Sequence, residues 1–93
     1  MRYHLEVRRY SKKWAENFEW EKMDVVYGKI SDNKQELEDI IEKYKDENGK
    51  EYCVEISDTT QGEGMFVIDN KVISHDNVNI PVIKLNSDIE KAF

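Results

Sequence analysis

Ninety-three residues, 39% of them hydrophobic and 37% charged, make a single small domain with a thin core, just above the polarity at which a chain stays disordered. Twenty acidic against fourteen basic residues give a formal charge of -6, which repels nucleic acid and anionic membrane at long range and favours a basic partner. The lone cysteine, Cys53, excludes an internal disulfide and a thiolate zinc cluster, and no apolar run approaches the roughly 20 residues that span a bilayer, so a cytoplasmic, reducing environment is expected.

The charge is uneven. Residues 1–13 hold Arg2, Arg8, Arg9, Lys12 and Lys13 against Glu6 alone, a balance of +4 that leaves -10 on the remaining eighty residues. Lys, Asn and Ile are frequent while alanine occurs only as Ala15 and Ala92, a bias that AT-rich coding produces and that fits a low-GC bacterium or its phage.

Tyr3, Leu5 and Val7 alternate with His4, Glu6 and Arg8, which predicts a strand over Tyr3 to Tyr10 with one buried face. Residues 11–23 support two readings. Ser11 can cap a short helix that gathers Trp14, Ala15 and Phe18, or the segment can run extended from Phe18 through Trp20. A second strand is expected from about Trp20 to Ile30, where β-branched residues are enriched.

A helix follows. Ser31, Asp32 and Asn33 offer caps, with Gln35 as the capping-box partner of Asp32, and Leu37, Ile40, Ile41 and Tyr44 form a helical stripe. Asn48-Gly49 reads as its stop. A half-buried strand over Glu51 to Ser57 turns Tyr52, Val54 and Ile56 inward. Met65 to Ile68 and Val72 to Ser74 then flank Asp69-Asn70-Lys71 as a hairpin, and Pro81 places the strand Val78 to Leu85 at a sheet edge. Ser87-Asp88-Ile89-Glu90 carries a capping-box pattern for a last helical turn in which Ile89 and Phe93 dock. The fold class is therefore α+β: a single, mostly antiparallel sheet in ββαβββ order, with one main helix on one face and a short C-terminal helical turn, spanning residues 1–93 as one domain.

No motif for a cofactor or a metal ion is present. His4, His75 and Cys53 are the residues from which an enzyme would be built, but none sits in a nucleophile motif, and Cys53 in a strand alternation reads as a small apolar residue. His75-Asp76 lacks the further ligands a metal needs, and Asp76-Asn77 reads equally as a turn.

Three surfaces remain as binding candidates. Glu36, Glu38, Asp39, Glu42 and Asp46, on the helix and just beyond it, set spaced carboxylates on a rigid scaffold suited to a basic groove, softened by expected pairs of Asp39 with Lys43 and Glu42 with Lys45. Trp14, Phe18 and Trp20 crowd a polar stretch and suit either core packing or an aromatic anchor for a partner. Arg8, Arg9, Lys12 and Lys13, joined by Gln61, Gly62 and Gly64 of the loop at 58–64, suit a nucleotide or other small anion. The sequence thus points to a non-enzymatic binder of a basic host protein, such as a small inhibitor of a defence enzyme of anti-CRISPR or anti-restriction type, with the anion-binding module as the alternative. Homodimerisation is compatible with both, and direct nucleic-acid or membrane binding is disfavoured by the charge.

Overall fold

Alternation in the first strand sets the layering. The computed structural model describes residues 2–17, 19–61, 72–75 and 78–92. In them β1 (Tyr3–Arg9) lies between β2 (Val25–Ser31) and β3 (Lys45–Asp58), while β5 (Val78–Leu85) and β4 (Val72–His75) extend the sheet on the far side of β3. The strand order is β2-β1-β3-β5-β4 and every described pairing is antiparallel.

Leu5 stands opposite Ile56, and Val7 opposite Val54, all four fully buried. Their common face is covered by α2 (Lys34–Tyr44), whose stripe buries Leu37 and Ile41 and packs Ile40 and Tyr44 at the margin. A 3-10 turn at Ser87–Lys91 adds Ile89 to the same layer. On the opposite face a smaller cluster joins Ala15, Met23, Cys53 and Val82 beneath Tyr10, Trp14 and Trp20. Among the described residues the sheet is therefore apolar along its centre on one side, with a second, smaller cluster on the other.

The two readings of residues 11–23 resolve as helix α1 (Lys12–Glu16) followed by a 3-10 turn at Trp20–Lys22. The second strand consequently starts at Val25, later than expected. Ser11 occupies the N-cap position of α1 without a side-chain capping bond.

The main helix also differs at both ends. Asn33, not Asp32, caps it by accepting from Gln35 N at 3.0 Å, because Asp32 Oδ1 is turned back to accept from Arg2 N. It ends at Tyr44, ahead of Asn48-Gly49, since Lys45 adopts extended geometry (φ -58, ψ 132) and the carbonyl of Tyr44 accepts from Asn86 N at 2.7 Å. Asn48-Gly49 instead belongs to an irregularity of β3 in which Lys45 and Lys50 both stand opposite Leu85. Asp46 Oδ1 accepts from Asn48 N there, and Gly49 lies against the backbone of Leu85 so closely that a Cβ would come within 2.2 Å of its carbonyl oxygen.

Pro81 does not mark an edge: β5 runs between β3 and β4. Its missing amide donor is accommodated because the strand changes partners there, pairing with β4 over residues 78–81 and with β3 over 82–85. The outer strands are β2 and β4. The C-terminal turn is capped by Asn86, which accepts from Asp88 N at 2.9 Å, so Ser87 is its first residue and not its cap. Phe93 and the Met65–Ile68 arm of the expected hairpin lie outside the described residues.

A test follows from Gly49. Alanine there drives a Cβ into the main chain of β5, so Gly49→Ala should lower stability by about 2 to 3 kcal/mol in urea unfolding. Gly28→Ala, whose Cβ would meet nothing nearer than the Leu5 carbonyl at 3.7 Å, should leave it within about 0.5 kcal/mol.

Candidate functional site

With Leu37 and Ile41 turned to the sheet, α2 presents its carboxylates outward. Glu36 Oε1 meets Lys29 Nζ at 3.2 Å and its other oxygen accepts from the Ser31 hydroxyl at 2.9 Å, and this bond and Lys29 together hold its carboxyl below the usual range. Glu38 pairs with Lys34 at 3.4 Å and Glu42 with Lys45 at 2.6 Å, the second as expected from spacing. Asp39 does not pair with Lys43. It accepts from Gln35 Nε2 at 2.8 Å, while the Lys43 ammonium lies 5.4 Å from the ring centre of Tyr44. Asp39, Asp46 and the exposed Glu47 therefore have no cation within ion-pair distance among the described residues. The acidic surface is real but unevenly compensated: its free charge lies on Asp39 and on the irregularity after the helix.

The basic residues of β1 are placed quite differently. Arg8 and Arg9 lie on opposite faces of the strand, so they do not converge on one ligand. Arg8 Nε donates to Glu6 at 2.6 Å, Nη1 donates to the Trp20 carbonyl at 3.0 Å, and Glu55 lies 3.9 Å away. Arg9 grips Glu90, whose second oxygen accepts from the Tyr52 hydroxyl at 2.6 Å, and reaches Asp24 at 3.6 Å. Burial and the bond to Glu90 push Tyr52 up to about 12, and the same bonds, Arg9 first, draw Glu90 down. Arg2 holds Asp58 through Nε and Nη2, which with Thr60 keeps that carboxyl far below its ordinary value. Lys12 pairs with Glu16 at 3.7 Å. Gln61 ends the 3-10 turn at Thr59–Gln61, and Gly62 and Gly64 lie outside the described residues.

Trp14 and Trp20 pack on the smaller apolar cluster and are half-buried; Phe18 lies outside the described residues. The ammonium groups of Lys13 and Lys22 lie 4.6 and 5.0 Å from the Trp14 ring centre, a double cation–π contact beside an open groove of about 280 Å³ lined by Arg9, Tyr10, Trp14, Lys22, Met23 and Asp24.

The candidate nucleophile and bases are scattered. Cys53 is buried in the smaller cluster, and burial, with Glu55 nearby, pushes its thiol up to about 12, so it carries no thiolate at neutral pH. His4 stands on β1, 3.9 Å from Glu6, and His75 is on β4, across β5 from β3. Asp76 lies outside the described residues, among which no group of three metal-ligating side chains occurs.

One constellation was not legible in advance. Glu6 and Glu55 stand directly opposite each other on the two central strands, half-buried, with Arg8 between them. Burial, and then Glu6, push the Glu55 carboxyl up. The two alternation patterns that put both residues on the polar face were visible in the sequence, but their registry was not.

No protein family, curated protein or solved structure matches this chain.

The raised Glu55 makes a signed prediction. Its protonated form is the one the fold favours, so its contribution is present below about pH 4 and is lost as the pH rises through the raised value. Glu55→Gln should therefore unfold at a higher temperature than the natural chain near neutral pH, with the gap closing in acid, as a thermal-melt series across pH would record.

Proposed function

We propose that this chain is a non-enzymatic binding protein that presents the carboxylates of α2 and the turn after it to a basic surface of another protein. The observation that supports this most directly is the division of charge: the arginines of the first strand are engaged by Asp58, Glu6, Glu55 and Glu90, while Asp39, Asp46 and Glu47 carry negative charge with no cation beside them among the described residues. Charge that is not consumed within the fold sets the long-range field and the approach of a partner. The frequent Lys, Asn and Ile and scarce Ala, a bias that AT-rich coding produces, extend the proposal to an inhibitor made by a phage or mobile element against a host enzyme that handles nucleic acid, of anti-CRISPR or anti-restriction type, acting in the cytoplasm. Self-association belongs to the same reading.

Replacing Glu38, Asp39 and Glu42 together by lysine reverses the helix face without touching Leu37 or Ile41. In capture from a bacterial lysate, the natural chain should retain proteins of high isoelectric point that salt elutes, and the triple variant should retain none of them. Identical retention by both would rule out the acidic face.

The groove beside Trp14 favours a second reading, a small anion carrying a planar ring, held by Lys13, Lys22 and the indole. A nucleotide at 100 times its dissociation constant adds about 2.7 kcal/mol to stability, a rise of several degrees in a thermal-shift assay. A panel of nucleotides and inorganic phosphate that moves the midpoint nowhere excludes this module.

A further inference from the structure

Asn48-Gly49 is the only Asn-Gly pair in the chain, and the fold leaves it where its own chemistry can proceed. Lys45 and Lys50 both stand opposite Leu85, so residues 46–49 between them have no partner in that ladder and stand out from it as a bulge. Asn48 is exposed there. Its main-chain nitrogen donates to Asp46 Oδ1 at 2.9 Å, but its side-chain carboxamide has no hydrogen-bond partner among the described residues. The other asparagines whose side chains are described are all engaged: Asn17 Nδ2 donates to the Lys13 carbonyl, and Asn33 and Asn86 accept from Gln35 N and Asp88 N as caps.

Gly49 is imposed by packing. A Cβ there would collide with the main chain of Leu85, so β5 would have to move for any other residue to fit. The same bare Cα that lets two main chains touch leaves the Gly49 nitrogen with no side chain to screen it from the Asn48 carboxamide. The fold thus requires the neighbour that makes a thermolabile asparagine most reactive.

We propose that Asn48 converts spontaneously, in the folded protein, to aspartate and isoaspartate. The Gly49 nitrogen loses its proton to water and attacks Asn48 Cγ. A bond forms between them, the Cγ–Nδ2 bond breaks, and Nδ2 takes up a proton and leaves as ammonia, closing a cyclic imide. Water, the only co-reactant, then opens that ring. Opening on the Cγ side restores the ordinary main chain as aspartate; opening on the other side routes the chain through Cβ and Cγ as isoaspartate, one main-chain atom longer. Nothing is oxidised or reduced. Either product takes the formal charge from -6 to -7 and sets a new carboxylate beside Asp46 and Glu47. Isoaspartate also displaces Gly49 from Leu85, loosening the end of the β3–β5 ladder next to which Asn86 N closes α2.

The natural chain, held folded in warm, mildly alkaline buffer, should accumulate a species more acidic by one charge on isoelectric focusing. Peptide mapping should place the change at Asn48 and leave Asn17, Asn33 and Asn86 intact, and Asn48→Gln should accumulate no such species. The native rate should be at least about a hundredth of the rate in concentrated urea, since a chain that reacts only when unfolded is in that state about a thousandth of the time or less. The isoaspartate form, isolated by chromatography, should melt below Asn48→Asp, which carries the same charge on a main chain of ordinary length. A folded chain left unmodified, or modified only elsewhere, overturns the proposal. So does a native rate below that hundredth, or an isoaspartate form that melts together with Asn48→Asp. These readouts need no second protein, so they stand or fall separately from the acidic-face reading.

Discussion

The pairing of β1 with β3 constrains the rest of the molecule, because it sets Leu5 against Ile56 and Val7 against Val54 beneath α2 and so creates the larger of the two apolar clusters among the described residues. Both ends of that ladder are closed by arginine. Arg2 grips Asp58 where β3 ends, and Arg9 grips Glu90, which also receives the Tyr52 hydroxyl and ties the C-terminal turn to the sheet. Between them Arg8 holds Glu6 on the opposite face and reaches the Trp20 carbonyl, fastening the segment after α1 onto the sheet. The positive charge of the first strand therefore has a structural occupation at every arginine. Arg8, the least exposed of the three at 16%, can be desolvated only because it finds charged and carbonyl acceptors at once.

That arrangement changes what the charge distribution means. A basic opening strand in an acidic chain looks in one dimension like two poles offered to two kinds of ligand. Folded, the poles are pressed together and largely cancel, and what is left over is negative and displaced onto the helix and the irregularity at Asp46 to Gly49. Glu6 and Glu55 are the exception, two carboxylates made neighbours by registry, with one arginine between them and burial raising Glu55. Like charges directly opposite in a sheet are unfavourable, so this pair is a local conflict that Arg8 contains.

The α+β order, the inward faces of β1 and β3 and the stripe of α2 were all legible, since each rests on a periodicity of 2 or 3.6 that only burial explains. Boundaries were less so. The Asn48-Gly49 signal belonged to a bulge, because the amide of Asn86, brought in by tertiary structure, satisfied the helix end at Tyr44 first. Asp32 lost its capping role to Asn33 because Arg2 claimed its carboxylate from thirty residues away. Pro81 was compatible with the sheet interior once its strand was free to change partners at that point. Among the site residues, the outward direction of the helix carboxylates followed from the stripe, and the separation of Arg8 from Arg9 onto opposite faces followed from alternation. The pairing of Glu6 with Glu55 required a register that no local pattern encodes.

The placement of β1 between β2 and β3 has a bearing on how the chain is made. Tyr3 lies opposite Asp58, so β1 waits for some fifty-five further residues to be synthesised before its central neighbour exists. Until then only β2 is available to it, in a two-stranded ribbon of the sort that is marginal by itself in water. Contacts so distant in sequence slow the search for the native state and lengthen the interval in which Leu5 and Val7 are open to misassociation. The thirty-five residues between the two strands hold nine acidic against six basic side chains, so like charge opposes association of such chains while the ladder is unmade.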